Sequence, residues 1–496
     1  MPAHHALALA PRAIEVPNRD LAASVRVLTC GSVDDGKSTL IGRLLWDASD
    51  LFDDQREALH RSERRVLDGK HLDYSLLVDG LIAEREQGIT IDIAWRTFDT
   101  AERRFVIIDS PGHEQYTRNM ASGASHADIA VMLIDARHGI KRQTRRHAAI
   151  LDLFGVRRVV LAVNKMDLVG WSAQRFREIE ADFKALQQSF GFEDAVVIPV
   201  AAVTGDNVAR RSQRMRWYAG PTLLEQLSRE PVVASLSRQP FRFPVQNVLR
   251  DGQDFRGLAG IVASGRIAVG ETIVDTVSGR EARIRRIATM DGDLASARHG
   301  QAVALVLDRD LDVSRGAVLA VPEARPTAAR SLEARLVWLS EQAFDPSHRY
   351  LLRSATDLAP VSNLAITSLL DLATLERSQS RSCAVNEIAV AEIELGRPAA
   401  LDTFAVSPVT GSFVLVDAVS GATVAGGVVT AARSVARAVA DTDGDNAFVV
   451  TRDMLARGVC ADLAATAGNE AEFRRRAAAI IALMQSAGIV ARSQID

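Results

Sequence analysis

The sequence predicts an α/β domain with a mostly parallel sheet, followed by two β-barrel domains and a short helical C-terminal tail. Three observations carry that expectation. From Ser24 to about Arg229, short β-branched runs alternate with longer amphipathic stretches, the pattern of a parallel sheet covered on both faces. From Phe241 to Val321, and again from Ser331 to about Val429, short alternating runs are broken by turn residues, as in small closed barrels. After Ala431 the composition turns rich in Ala and Arg and reads as helix.

The divisions follow in chain order. Residues 1–20 form an N-terminal tail, whose short Ala/Leu run is too brief and badly flanked for a signal peptide. Residues 21–230 form the α/β domain, with strands predicted at Val25–Thr29, Phe105–Asp109, Ile129–Asp135, Val159–Asn164 and Val196–Val200. Helical periodicity falls between them at Gln143–Phe154 and Ala173–Phe190. The barrels occupy 240–325, dense in glycine turns, and 330–432, with turns at Asp345-Pro346, Ser407-Pro408, Thr410-Gly411 and Ser420-Gly421. In the remaining 440–496, Glu470–Ser486 reads as one clear helix.

Bulk properties bound the function. At 496 residues the chain exceeds one core, and about 150 residues per domain implies three or four. A net charge of −3 argues against an overall electrostatic grip on nucleic acid. Cys30, Cys383 and Cys460 are too scattered for a disulfide framework or a CxxC metal site, which fits a reducing, cytoplasmic location. No 18-residue apolar run appears, so no membrane span is expected.

Three motifs carry chemistry. Gly31, Ser32, Val33, Asp34, Asp35, Gly36, Lys37 and Ser38 match the phosphate-loop pattern G-x-x-x-x-G-K-[ST], after a predicted strand and before a helix over Thr39–Leu45. There the glycines let backbone N–H groups turn inward at a helix N-terminus, which favours anions. Lys37 would neutralise the β- and γ-phosphates, and the Ser38 hydroxyl would sit on Mg²⁺. Asp109, Ser110, Pro111, Gly112 and His113 end an apolar strand. Asp109 would hold the magnesium water shell, and the Gly112 N–H would sense a γ-phosphate. Asn164, Lys165, Met166 and Asp167 follow a further apolar strand, and the Asp167 carboxylate can accept both guanine N1–H and the exocyclic amine. Adenine presents the wrong donors, so the motif specifies GTP over ATP and makes this an α/β P-loop GTPase domain.

With Arg85-Glu-Gln-Gly-Ile-Thr90 between the first two motifs, segment 24–207 resembles the GTP-binding domain of translation-type GTPases, the family of elongation factor Tu. The resemblance implies that Thr90 closes on Mg²⁺, that His113 orients the attacking water, and that Val33 and Ile89 flank it as an apolar gate. It also implies that Ala201 and Ala202 serve the base. The family usually has Ser-Ala there, and the guanine O6 contact comes largely from a backbone N–H that alanine retains.

Finer details resemble the GTPase subunit of bacterial sulfate adenylyltransferase: the Ser-Val-Asp-Asp loop, Asp79–Asp92, Gly112–Met120, Leu336–Glu341, Leu375-Glu376, Val385-Asn-Glu-Ile388, Arg397-Pro398 and Thr410–Asp417. Ser407-Pro408 departs from the Asn-Arg usual there. The resemblance implies a GTPase whose turnover drives formation of adenylyl sulfate and pyrophosphate from ATP and sulfate. The condensation itself falls to a small partner subunit with an ATP-pyrophosphatase-type fold, in a heterodimer or larger assembly. The tail resembles a piece of adenylyl-sulfate kinase over Asp453–Leu463, Arg474–Arg476 and Leu483–Val490, without its chemistry. Its acidic motif has become Thr451-Arg-Asp-Met454, Asp443–Asn446 sits out of register, and the chain has one phosphate loop, so the expectation is a kinase-dead remnant. The residues leave two rival readings. One is a tRNA-binding translation factor, against which the mild acidity and the Ser-Val-Asp-Asp loop count; the other is a GTP-dependent scaffold or regulator without sulfurylase activity.

Overall fold

A computed structural model describes residues 24–48, 66–67, 71–78, 92–100, 103–230, 236–251, 255–434, 448–451 and 491–494. In the first domain the described elements run β1 (Val25–Gly31), α1 (Lys37–Ala48), β2 (Ala94–Asp99), β3 (Arg104–Asp109), α2 (Thr117–Ala124), β4 (Ile129–Asp135), α3 (Arg142–Leu153), β5 (Arg158–Asn164), α4 (Ala173–Gln187), β6 (Asp194–Pro199) and α5 (Leu223–Arg229). The sheet order is β2-β3-β1-β4-β5-β6. All pairings are parallel except β2 with β3. Strand β4 is buried at every position, as a central parallel strand covered on both faces should be.

Each predicted strand falls on an observed one, with β6 starting earlier, at Asp194. Strand β2 escaped the sequence pattern. It is an antiparallel edge strand in which every second residue is exposed and only Phe98 is buried, so it lacks the apolar run that marks its neighbours. Two apolar clusters lie on the two faces of the sheet.

Beyond 240 come two closed barrels. In the first, Thr272–Asp275, Val318–Ala320, Arg242–Asp251, Phe255–Ile261, Ala302–Leu307 and Glu281–Thr289 pair in a ring, with Gly292–Leu294 added to Glu281–Thr289. In the second, the ring is Tyr350–Ser354, Ser412–Asp417, Thr423–Ser434, Thr327–Trp338, Ile388–Leu401 and Asp357–Leu370. Closure removes the unpaired edges that an open antiparallel sheet exposes. Each barrel has its own core.

The second barrel is seated on the first domain: Val337, Leu372, Ile388 and Val428 join the cluster formed by β1, β4, β5, α2, α3 and α4. An ion pair from Arg335 to Asp152 of α3, 2.7 Å, rims that contact. Ser407, where the expected Asn-Arg is missing, caps the short helical turn Pro408–Gly411, its hydroxyl accepting from the Thr410 N–H.

In the tail, Phe448–Thr451 pairs parallel with Ala491–Gln494. The described part of the tail is therefore strand, where composition predicts helix. The predicted helix Glu470–Ser486, the kinase-like segment Asp453–Leu463 and Cys460 lie outside the described residues.

Candidate functional site

The phosphate loop spans the turn from β1 to α1. Asp34 and Gly36 both have positive φ, 68° and 91°, which curls the chain around a point in front of the helix N-terminus. Lys37 is buried, and its Nζ donates to the carbonyls of Gly31 and Ser32 at 2.9 and 3.0 Å. Burial lowers its affinity for the proton below the usual lysine range. Ser38 and Thr39 lie in the first turn of α1, which holds no acidic residue to repel a phosphate.

Asp35 sits behind the loop, wholly buried. Its Oδ2 accepts from the Ser32 N–H at 2.7 Å, and Lys141 Nζ approaches Oδ1 at 3.6 Å. Burial raises its pKa, against the pull of Lys141 and the Ser32 N–H.

Asp109 ends β3 and is 1% exposed; its Oδ1 accepts from Thr29 Oγ1 at 3.1 Å. The Ser110 hydroxyl donates to the Thr29 carbonyl at 2.7 Å, fixing the turn to β1. Pro111 and Gly112 are buried against the phosphate loop. A Cβ at Gly112 would lie 2.4 Å from Lys37 Nζ and 2.6 Å from the Gly31 carbonyl oxygen, so only glycine allows this approach. His113 follows, exposed, at the N-cap of the 3₁₀ turn Glu114–Tyr116, with its ring edge-on to Tyr116.

Asn164 ends β5 and ties two motifs together. Its Nδ2 donates to the Asp35 carbonyl at 2.9 Å, and its Oδ1 accepts from the Ala202 N–H at 3.0 Å. Lys165, at φ 63°, reaches back to the Asp34 carbonyl and to Asp135, 3.1 Å away. Burial alone would raise the Asp135 carboxyl, but hydrogen bonds from Arg137 and Lys165 outweigh it and hold the group well below the carboxylate range. Met166 is buried and Asp167 half-buried, in the turn Met166–Val169.

Ala201 and Ala202 are buried just past β6. Sequence reasoning reserved a backbone N–H of this pair for guanine O6. In the structure, Ala202 N–H goes to Asn164 and Ala201 N–H to the Asp206 carbonyl, 3.1 Å.

The structure thus brings the phosphate loop into contact with both the Asp109–His113 turn and the Asn164–Asp167 turn. Thr90, Ile89 and the rest of Arg85–Thr90 lie outside the described residues. Sequence reasoning missed the polar side chains of α3 behind the Asp109–His113 turn. Gln143 Nε2 lies 3.5 Å from the Gly112 carbonyl and 3.0 Å from His147 Nε2. Arg146 donates to Gln143 and Glu114 at 2.7 and 2.6 Å. The available signal was the i,i+4 pair Gln143–His147 on a predicted helix beside the site. Among the described residues, no group of three or more His, Cys, Asp or Glu could hold a metal ion. Nor is any helix long and apolar enough to cross a membrane.

Chemically, a buried ammonium at a helix N-terminus suits a polyphosphate. The family model described as the elongation factor Tu GTP binding domain matches residues 23–243, and the GTP-eEF1A C-terminal domain-like model matches 331–430. Among curated proteins, sulfate adenylyltransferase subunit 1 of Salmonella paratyphi C (strain RKS4594) is 47% identical over 82% of this chain and 85% of its own length. The bifunctional enzyme NodQ of Rhizobium sp. (strain N33) is 49% identical over 82% of this chain, which spans only 63% of that relative. NodQ of Rhizobium tropici is 40% identical over 94% of this chain and 80% of its own length.

Proposed function

Since this chain belongs to the sulfate adenylyltransferase subunit 1 family, we propose that it hydrolyses GTP to drive adenylyl sulfate formation. ATP and sulfate condense on a small partner subunit, of ATP-pyrophosphatase-type fold, in a heterodimer or larger assembly. The observation that carries the reading is the convergence of three motifs: Gly112 against Lys37, and Asn164 and Lys165 bonded to the backbone of Asp35 and Asp34.

In this reading Lys37 and the loop amides other than those of Ser32 and Asp35 hold the phosphates, and Asp167 reads the guanine edge. His113, exposed beside the loop, orients the attacking water. The Ser38 hydroxyl and the buried Asp109 carboxylate, acting through water, are hard oxygen donors of the kind Mg²⁺ takes, with Thr90 as a further one. Bound there, Mg²⁺ supplies charge neutralisation at the phosphates. With Ala202 N–H held by Asn164, guanine O6 is served by another donor of that loop or after Asn164 turns.

The tail reads as a kinase-dead remnant. The Rhizobium tropici match covers roughly 466 residues, 94% of this chain, and so runs past the last barrel strand at Ser434 into the tail. The parallel strand pair there fits a remnant of an α/β unit.

The test is adenylyl sulfate formation by this chain with its small subunit, with and without GTP. GTP-dependent synthesis is the expected result. GTP hydrolysis with no adenylyl sulfate would leave a GTPase that serves another partner, as a scaffold or regulator.

A further inference from the structure

Glu114, the residue after His113, is held from two sides. Its main-chain carbonyl accepts from Asn386 Nδ2 of the second barrel at 3.2 Å, as well as from the Thr117 hydroxyl at 2.6 Å. Its side chain accepts from Arg146 of α3 at 2.6 Å.

The two holders are built differently from the residue they hold. Arg146 is 4% exposed in its side chain and leaves its buried Nε without a partner, while Glu114 is 56% exposed. A buried guanidinium thus reaches outward to fix an exposed carboxylate, whereas a solvated helix-surface pair would leave both side chains exposed. Asn386 is buried, and its φ of 66° lies in the left-handed region that Asn tolerates better than other side chains. Its own N–H donates to the Trp338 carbonyl at 2.8 Å, which pins the turn to the barrel wall. Two residues on, Ile388 joins the core that the barrel shares with the first domain. Arg118 of α2 adds long bonds to the carbonyls of Leu339 and Thr423, 3.2 and 3.4 Å, so the stretch after His113 lies on the barrel along its length.

Among the described residues no hydrogen bond orients the His113 ring itself, so its place is set by the main chain at 113–114 and by the edge-on contact with Tyr116 in the same turn. We propose that Asn386 and Arg146 are positioning residues that clamp Glu114 and thereby place His113, making the rate of GTP hydrolysis depend on how the second barrel is seated. This rests on the GTPase reading above. A misplacement of about 1 Å at a catalytic group costs up to ~100-fold in rate.

The experiment uses the full chain, measuring single-turnover GTP hydrolysis, equilibrium binding of a fluorescent GTP analogue and thermal midpoint. Asn386→Gly keeps the backbone conformation and removes the amide, and the Glu114 carbonyl retains Thr117, so the fold is preserved. The expected result is hydrolysis slowed about tenfold with GTP affinity within about twofold. Asn386→Asp, which sets a carboxylate against a carbonyl, is at least as slow. Arg146→Met is slowed similarly, and the double variant Asn386→Gly/Arg146→Met loses less than the product of the single losses, because both act through Glu114. Wild-type hydrolysis rates in the single variants would overturn the clamp alone, as would equal losses of rate and affinity. A wild-type chain that binds no GTP would overturn both the clamp and the GTPase reading.

Discussion

In the proposed reading Lys37 and His113 serve the same phosphate with different duties, and their substitutions separate accordingly. Lys37 spends its protons on two loop carbonyls, so it is preset to trade them for phosphate oxygens; Lys37→Ala is expected to abolish GTP binding in equilibrium titration. His113 stands outside the loop, exposed, so His113→Ala is expected to bind GTP normally while hydrolysis slows by roughly two to four orders of magnitude. Normal turnover in that variant would remove His113 from the mechanism. His147 carries a pH signature of its own. Burial first, then Lys37 and Arg146, push it down to about 3, so it is neutral in the folded state. Unfolding frees it to bind a proton below its ordinary value of 6.5, so its contribution is complete above pH 6.5 and is lost as pH falls from there toward 3. The slope is at most ~1.4 kcal/mol per pH unit. His147→Gln should flatten the decline of urea stability between pH 6.5 and 4, and an unchanged slope would mean other groups carry it. The motif residues were legible in the sequence because phosphate and guanine chemistry demand fixed residue types at fixed spacings. Asn386 and Arg146 were not legible, because their partner Glu114 is far off in sequence and only the folded interface brings them to it.

At the scale of elements, helix α1 carries a glycine in its interior that helix propensity alone would reject. A Cβ at Gly42 would fall 1.9 Å from the Tyr74 carbonyl oxygen and 2.6 Å from its carbonyl carbon. The 3₁₀ turn Tyr74–Leu77 therefore lies directly on α1 at this point, with Arg43 stacked over the Tyr74 ring at 4.9 Å. Ala in place of Gly inside a free helix gains ~1 kcal/mol, but here the obstacle is backbone and cannot swing aside. Gly42→Ala is thus expected to destabilise by about 1–3 kcal/mol in chemical denaturation, the cost of overpacking. A more stable variant would show that the turn can lift from α1 freely. Strands were readable where an apolar run is buried, as in β1, β4 and β5, and not where exposed positions interrupt it throughout, as in β2. Helix α5 shows the other kind of miss: Thr222 and Glu225 form a capping box that the sequence spells out as T-x-x-E, yet its apolar face is only seven residues long and gives little periodicity.

For the whole molecule, the question is what makes three domains one body. The α/β domain and second barrel share an apolar core, whereas the two barrels are joined by charge: Arg242, 3% exposed in its side chain, meets Asp402, 6% exposed, through bonds of 2.7 and 2.9 Å. Further bonds surround the pair. Arg242 also donates to the carbonyls of Phe241 and Ala324, and Asp402 accepts from the Thr410 hydroxyl, itself bonded to Ser407. A buried, bidentate pair of this kind costs much to desolvate, so its net worth is small while the cost of breaking it is large. Arg242→Met strands a buried carboxylate and Asp402→Leu strands a buried guanidinium; each is expected to lose about 3–5 kcal/mol. The double variant Arg242→Met/Asp402→Leu, which buries no charge, is expected to lose less than either single one. Hydrogen exchange of the first barrel's strands, followed in the full chain, reads these differences directly. Single variants within about 1 kcal/mol of wild type would mean that water enters the joint and the pair is screened, and the barrels would then be held by their apolar rims instead.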